Sequence, residues 1–358
     1  MNNGRPRIAV DAAPAARPLV TGTERFAREV IRRLPAAAPD LEWTFYSPRP
    51  APGLDVDLTV VPWNRLWTQV RLPTLLAREP HDLLLALAHV VPHWCPAPAV
   101  KVVHDLAFEH FRDAYDRRSR AYLRLTERHA VRVCRLLIAP SQTTSQDLVQ
   151  LYSADPGRVV IVPEGGGEPR ARKAPVDQRR LRELGVEPPF ALHVGRIERR
   201  KNQTAALAAV EAASGLCLVC AGAVHDREVA ARLRSSPRCR VLGAISDEDR
   251  DLLYRTALAL IFPSLYEGFG LPVLEAMAAG LPVICPRISS LPEVGGDVPL
   301  YVESPHDVSA MAIALRRLRE EPALARALAT RGRRRAASFT WDRCAAGIAG
   351  AVRRALRP

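Results

Sequence analysis

Short apolar runs alternate with amphipathic stretches along most of the chain. In the first half the apolar runs fall at 7–12, 41–46, 54–61, 81–87, 100–104, 136–139 and 159–162, and they predict strands. Between them, 24–34, 71–77, 119–133 and 142–151 carry apolar residues at helical spacing. Largely apolar strands separated by helices predict a parallel sheet covered on both faces. The alternation then stops. Pro163-Glu-Gly-Gly-Gly-Glu-Pro169 and the basic, proline-containing stretch up to Asp177 carry no period and read as a linker. It restarts with strands at 190–194, 216–220, 240–242, 258–262 and 283–285. Helices are expected at 202–213, 227–235, 248–256 and 272–279, then at 307–320, 322–337 and 341–356.

The pattern is therefore α/β, with two Rossmann-like domains at 1–170 and 171–340. The segment 341–358 is a C-terminal helix expected to pack back toward the first domain. Two facing domains of this kind leave an interdomain cleft bordered by the carboxyl ends of both sheets, where open α/β sheets bind ligands.

Length and composition agree with this organisation. A chain of 358 residues suits two domains, and 48% hydrophobic residues can fill two cores. No apolar stretch reaches about 18 residues, so no membrane-spanning helix is expected. Met1 to Arg7 runs directly into the strand-like Ile8-Ala9-Val10 without the apolar core of a signal peptide, so a cytosolic location is expected. Cys217 and Cys220 form a C-x-x-C inside an apolar run, with no second pair or histidine cluster to complete a zinc site. They read as reduced core cysteines. The net charge of +13 is carried almost wholly by arginine; lysine occurs only at 101, 173 and 201. That charge suits nucleic acid, an anionic membrane or phosphorylated substrates, and equally suits solvated helix faces rich in arginine. Aromatic residues are only 6% and no nucleic-acid-binding motif is present, so no nucleic-acid partner is expected.

Two segments carry chemistry. The first runs from Pro263 to Gly280 and contains Glu267, Gly268, Phe269, Gly270, Leu271, Pro272 and Glu275. A strand ends, a glycine loop follows that lets backbone approach a ligand, Pro272 opens a helix and Gly280 suits its C-cap. A helix N-terminus behind such a loop is suited to a diphosphate. Glu275 lies about one turn into the helix, where a ribose diol could be bound, and Glu267 lies on the loop. Two solvated glutamates on a capped helix would give the same spacing. The second segment is His193-Val-Gly195-Arg196-Ile-Glu-Arg-Arg-Lys201-Asn202, again a strand end that opens a helix. Arg196 and Lys201 could hold a departing diphosphate, because fixed cations stabilise the charge that develops on it without a metal. A solvated basic helix start is the plainer reading of the same run.

Together these segments resemble glycosyltransferase family 4, the retaining family with the GT-B fold. Glu267 and Glu275 match its E-x7-E pattern, and Gly195, Arg196, Lys201 and Asn202 match its G-x…K-N pattern. Leu291-Pro-Glu-Val294 with Gly296-Asp297, and Phe339-Thr-Trp341, are further matches. The resemblance implies that Arg196 and Lys201 grip the diphosphate and that Glu275 binds the ribose. It implies that Glu267, with Gly268, Phe269, Gly270 and Leu271, contacts the sugar and its phosphates, and that Gly243-Ala-Ile245 lies against the nucleobase. His104, after the run Val100–Val103, resembles the family histidine that contacts the donor sugar; on its own it would read as a structural strand-end histidine. Thr21-Gly22-Thr23 resembles the family's first glycine loop, with one glycine where many relatives carry two.

The expected enzyme is a hexosyltransferase that takes its sugar from a nucleotide-sugar co-substrate, needs no metal or other cofactor and retains anomeric configuration. The mannosyltransferase-like branch, using GDP-mannose, is the donor expectation, and the acceptor a glycan or lipid-linked glycan. Basic helices of the N-terminal domain offer a peripheral contact with an anionic membrane. A nucleotide-sugar epimerase of the same fold, and a basic non-catalytic nucleic-acid-binding protein, stand as alternatives.

Overall fold

A computed structural model describes residues 4–17, 22–63, 65–88, 90–168 and 176–357. Thr21 and residues 169–175 of the expected linker lie outside the described residues. The chain divides into two compact units, 1–165 with 340–358, and 166–339.

The first unit is built on strands β1 (Arg7–Asp11), β2 (Glu42–Ser47), β3 (Leu58–Val60), β4 (Leu83–Ala86), β5 (Ala99–Val102), β6 (Leu136–Ala139) and β7 (Val159–Ile161). Its helices are α1 (Gly22–Ala37), α2 (Leu72–Arg78), α3 (Ala107–His110), α4 (Arg117–Val133) and α5 (Gln142–Tyr152). The sheet runs β3-β2-β1-β4-β5-β6-β7, with every neighbouring pair parallel. The second unit carries α6 (Gln178–Leu184), β8 (Phe190–Val194), α7 (Gln203–Ala213), β9 (Cys217–Ala221), α8 (Arg227–Arg234), β10 (Cys239–Gly243) and α9 (Asp247–Thr256). It continues with β11 (Ala259–Ile261), α10 (Leu271–Ala279), β12 (Val283–Pro286), α11 (Leu291–Gly295), β13 (Leu300–Val302), α12 (Val308–Glu320) and α13 (Pro322–Ala336). Its parallel sheet runs β10-β9-β8-β11-β12-β13.

Each sheet winds outward in both directions from its middle. The order reverses between β1 and β4 in the first unit, and between β8 and β11 in the second. Loops leaving the two strands at such a point turn to opposite faces of the sheet, and a crevice opens between them. The segments Gly195–Asn202 and Phe262–Gly270 are the loops that leave β8 and β11.

Helix α14 (Trp341–Leu356) belongs to the first unit, where it packs against α1. Trp341, Cys344, Ala345, Ile348, Val352 and Ala355 recur at three- and four-residue spacing and are all buried. The small residues let the helix come close; a Cβ on Gly347 would stand 2.7 Å from the Val162 side chain. The Thr340 side chain caps its start by accepting from Arg343 N.

Several departures from the sequence pattern are structural. Strand β13 and helices α3, α6 and α11 have no counterpart among the expected elements. β13 is three residues long, and α6 follows directly on the aperiodic stretch. The apolar run at 100–104 yields a strand that stops at Val102, so His104 lies two residues beyond β5 rather than closing it. The C-x-x-C lies in β9, as its apolar neighbours imply.

Candidate functional site

Helix α10 shows how the sequence shapes the site. Gly270 takes φ +104° at the N-cap and Gly280 φ +77° at the C-cap, both in the left-handed region that glycine enters without a Cβ clash. Pro272 sits in the first turn, where its missing N–H costs nothing. Val273, Leu274, Ala276, Met277 and Ala278 are buried, so the helix is fixed on nearly all sides. Its N-terminus is thereby held at the end of the loop from β11.

Glu267 and Glu275 are not solvated glutamates; both are buried, at 6% and 3% exposure. Glu267 Oε1 accepts from Lys201 Nζ at 2.6 Å and from the Ser264 hydroxyl. Arg200 Nη1 stands 3.7 Å from Glu267 Oε2 and donates to Tyr266 O at 2.8 Å. The loop is tied to its other side as well. Ser289 Oγ accepts from Glu267 N, and Ser290 Oγ donates to the carbonyls of Glu267 and Phe269 at 2.9 Å. Burial pushes the Glu267 carboxyl up, but the charges of Lys201 and Arg200 and the hydrogen bonds from Lys201 and Ser264 outweigh it. The carboxyl ends below the usual range and stays ionised. Burial, with Arg200, holds the Lys201 ammonium below its usual range against the pull of Glu267.

Lys201 is likewise no solvated basic residue; it is 8% exposed, and its ammonium lies 5.3 Å from the Phe262 ring centroid. Arg196 differs. Its side chain is 38% exposed and its nearest ion-pair partner, Glu198, is 3.9 Å away. Gly195 takes φ +149°, and the adjoining Gly222 takes φ +150°. A Cβ on Gly222 would stand 2.0 Å from Gly195 O, so the loop from β8 is pressed against β9's exit.

Beneath that loop lies a small polar network. His193 Nδ1 donates to Ile261 O at 3.0 Å, so Nε2 accepts from Gln203 Nε2 at 3.2 Å. Burial lowers the imidazole to about 4 and leaves it neutral at pH 7. Gln203 Nε2 also donates to Arg196 O at 2.7 Å. The strand-end histidine and the first helical residue thus fix the backbone of Arg196.

On α10, Glu275 accepts from the Tyr254 hydroxyl at 2.9 Å, with Arg250 Nε at 3.8 Å. Ile245 is partly buried between β10 and α9, and Gly243 beside it has open space where a Cβ would be. Leu271 is the first residue of α10. In the first unit, Gly22 opens α1. His104 lies against Phe26, with ring centroids 4.8 Å apart at 87°. It also meets Glu164, with Nδ1 3.2 Å from Oε1.

The second unit therefore gathers Lys201, Glu267 and the Gly268–Gly270 loop at the switch point, with Arg196 entering from the β8 loop. Sequence reasoning missed Arg200, Ser264, His193 and Gln203 here, and Glu164 in the first unit. Arg200 stood in view in the Arg-Arg-Lys-Asn run. The others carry no pattern and are found only through their partners.

This arrangement can hold a negatively charged group against fixed cations at a helix N-terminus. Comparison with known proteins gives the same class. Residues 177–335 match the family profile described as Glycosyl transferases group 1, and residues 20–165 match Glycosyltransferase Family 4. The chain is a glycosyltransferase of the family 4 kind. It is 28% identical to O-antigen chain mannosyltransferase B of Escherichia coli over 262 residues, 69% of this chain and 68% of that protein. It is 32% identical to D-inositol 3-phosphate glycosyltransferase of Salinispora arenicola over 237 residues, 59% of this chain. The match spans about half of that relative's length, 53%. Among solved structures, HepE of Anabaena in complex with UDP and glucose superposes with a TM-score of 0.74 at 17% identity. That match covers 98% of this chain and all of the other (100%). The glycosyltransferase thus has the two-domain Rossmann-like GT-B fold.

Proposed function

We propose that this glycosyltransferase moves a hexose, foremost mannose from GDP-mannose, to a glycan or lipid-linked acceptor, with retention and without a metal. The observation that carries the reading is the buried Lys201–Glu267 pair, reinforced by Arg200, at the head of α10. A cation buried beside a carboxylate at a helix N-terminus can be shared with a ligand diphosphate while the carboxylate stays ionised.

In this reading Arg196 and Lys201 bind the diphosphate, with Gly195 and the loop Gly268-Phe269-Gly270-Leu271 shaping its cradle. Glu275 takes the ribose and Ile245 the base. Glu267 has two tasks, holding Lys201 and facing the sugar. Gly22 and His104, in the first unit, serve the phosphates and the donor sugar. The sugar becomes oxocarbenium-like as the phosphate departs, and the departing oxygen takes up the acceptor hydroxyl proton. No enzyme carboxylate attacks the sugar, so inversion is avoided by front-face substitution.

Mannose is favoured by the mannosyltransferase relative. UDP in the Anabaena structure makes the uridine nucleotide the competing donor class. A lipid-linked acceptor is supported by one surface of the first unit. On α4, Arg118, Tyr122, Leu125, Arg128 and Arg132 recur on one face, with Leu125 63% exposed. The His93 ring stacks on His129 of this helix at 4.1 Å and brings in Trp94, 61% exposed. Gln69 bonds the same 91–93 loop and brings in Leu66 and Val70, both exposed. Arginines flanking exposed aromatic and aliphatic side chains suit an anionic bilayer surface, each worth about 1 kcal/mol near it.

Thermal stabilisation by GDP, UDP and dTDP, each with EDTA, tests the donor site. A nucleotide that binds only the folded chain at a hundredfold excess over its Kd adds about 2.7 kcal/mol. Selective stabilisation by GDP, lost in Lys201→Ala, is the expected result. No effect from any of the three removes the support for the diphosphate site. Turnover abolished by EDTA and restored by magnesium refutes metal independence.

A further inference from the structure

His104 is held more tightly than a strand-end histidine needs. Its Nε2 lies 2.9 Å from Leu87 O and its Nδ1 3.2 Å from Glu164 Oε1. A carbonyl oxygen only accepts, so Nε2 carries a hydrogen. An ionised carboxylate also only accepts, so Nδ1 carries one too. An imidazole with both nitrogens protonated is an imidazolium. Its surroundings are largely closed to solvent: the His104 and Glu164 side chains are 14% and 6% exposed, and Phe26 from α1 meets the ring edge to face. Glu164 and the adjacent Asp105 are the charged groups that act on the ring, and both are acids. Leu87 from the end of β4 and Phe26 bring no charge.

The same cluster sits where the chain leaves the first unit, which ends at Gly165 and resumes at Thr340. Gly165 lies flat on Trp341, where a Cβ would stand 2.3 Å from Trp341 N. The Trp341 ring is in turn 6.1 Å from Phe26. Glu164 therefore joins the His104 ring to the exit segment, and Trp341 joins the return segment to the same aromatic ring.

We propose that Glu164 is a positioning residue that holds His104 as a buried imidazolium, with both ring N–H groups spent on the protein, and that turnover falls when this proton is lost. The second clause rests on the proposed role of His104 in glycosyl transfer; the first does not. Deprotonation leaves one ring nitrogen facing an acceptor with nothing to donate. Either the bond to Leu87 O or the bond to Glu164 must then be given up, and the ring is released from its fixed orientation. Burial opposes the charged form, but Glu164, the Leu87 carbonyl and Asp105 outweigh it and raise the imidazole above its ordinary range. The pair's contribution to stability is thus complete below pH about 6.5 and is lost as pH rises through the raised value in the folded chain.

The test is nitrogen-15 NMR of labelled histidine in the full chain, with the His104 signals assigned by their loss in His104→Gln, beside the pH profile of kcat. Glu164→Gln keeps the shape, and its amide can turn to donate to a neutral Nδ1. At pH 7 the wild-type ring is expected to show two protonated nitrogens, and the Glu164→Gln ring one. Because the glutamine amide holds the neutral ring in place, the alkaline limb of kcat expected in the wild type should be absent from Glu164→Gln, with KM for the donor unchanged. A wild-type ring that is neutral at pH 7 overturns the proposal without any variant, as does the same titration midpoint in both proteins. A midpoint that moves while the kcat profile stays overturns the link to turnover. Absence of glycosyl transfer in the wild type sinks the functional reading and leaves the NMR result standing on its own.

Discussion

Lys201→Ala perturbs the site most directly, and it acts on two observables that must be separated. In the folded chain Lys201 Nζ is 2.6 Å from Glu267 Oε1, with both side chains under 10% exposed. Truncation leaves a buried carboxylate that keeps only the Ser264 hydroxyl and Arg200 at 3.7 Å. Breaking a buried pair by removing one partner costs about 3–5 kcal/mol, and Arg200 keeps this case near about 3. The catalytic loss is separate. A preorganised group that stabilises developing charge is worth about 10²-fold or more in kcat, about 2.7 kcal/mol. Urea melts give the first quantity. Initial rates at saturating donor, normalised to folded protein, give the second. The double variant Lys201→Met with Glu267→Gln removes both charges, so it is expected to regain most of the stability and none of the turnover. A kcat per folded molecule within about threefold of wild type in Lys201→Ala would refute the assignment of this lysine to the departing phosphate.

The other predictions concern stability, affinity and location. Glu267 has a folded-state pKa below its unfolded value of 4.5, so its contribution is present above that pH and lost as pH falls through the folded value; urea melts from pH 3 to 6 should show this slope in the wild type and a shallower one in Glu267→Gln. Gly280→Ala forces a left-handed residue and puts a Cβ 2.0 Å from the Arg333 guanidinium, which is expected to cost about 1–3 kcal/mol by chemical denaturation. Gly222→Ala displaces the Gly195 carbonyl it would touch, and calorimetry should show nucleotide affinity weakened by about tenfold or more. Trp94→Ser with Leu125→Ser should reduce sedimentation with phosphatidylglycerol vesicles while leaving turnover on a soluble acceptor fragment unchanged; equal sedimentation in both proteins would remove the membrane-face reading.

Much of the architecture was legible because parallel sheets write themselves plainly. Strands buried on both faces, such as β4 with Leu83-Leu-Leu-Ala86, are apolar at every position. Helices such as α14 repeat their buried residues at three- and four-residue spacing. The elements that escaped are those with too few residues to show a period. β13 has three residues, which cannot separate alternation from a helical turn. β5 shows the related failure at an edge: Val103 is as apolar as Val102, but the ladder to β6 ends with Val102 opposite Ile138. Hydropathy registers burial, and only the partner strand decides where pairing stops.

The site divides along the same line. Glu267, Glu275, Lys201 and the glycines were visible because two short segments hold them at fixed spacing. What holds them in place was not visible. His193 and Gln203 stand ten residues apart, and Lys201 and Glu267 sixty-six, yet both pairs meet within 3.2 Å. Glu164 is sixty residues from His104. These meetings follow from topology. β8 and β11 are neighbours in the sheet because the winding reverses there, so the loop after each must open beside the other. A motif on each loop is then forced into contact, and a cation on one needs a carboxylate on the other to be buried at all. The order of strands thus explains why a paired cation is buried at position 201, one of three lysines in a chain rich in arginine. An ammonium is a compact point donor, whereas a guanidinium is a planar fork with a different reach and geometry. Lys201→Arg should therefore preserve the charge and still lose turnover, and wild-type kcat in that variant would show that charge alone, without the fit, is what the loop requires.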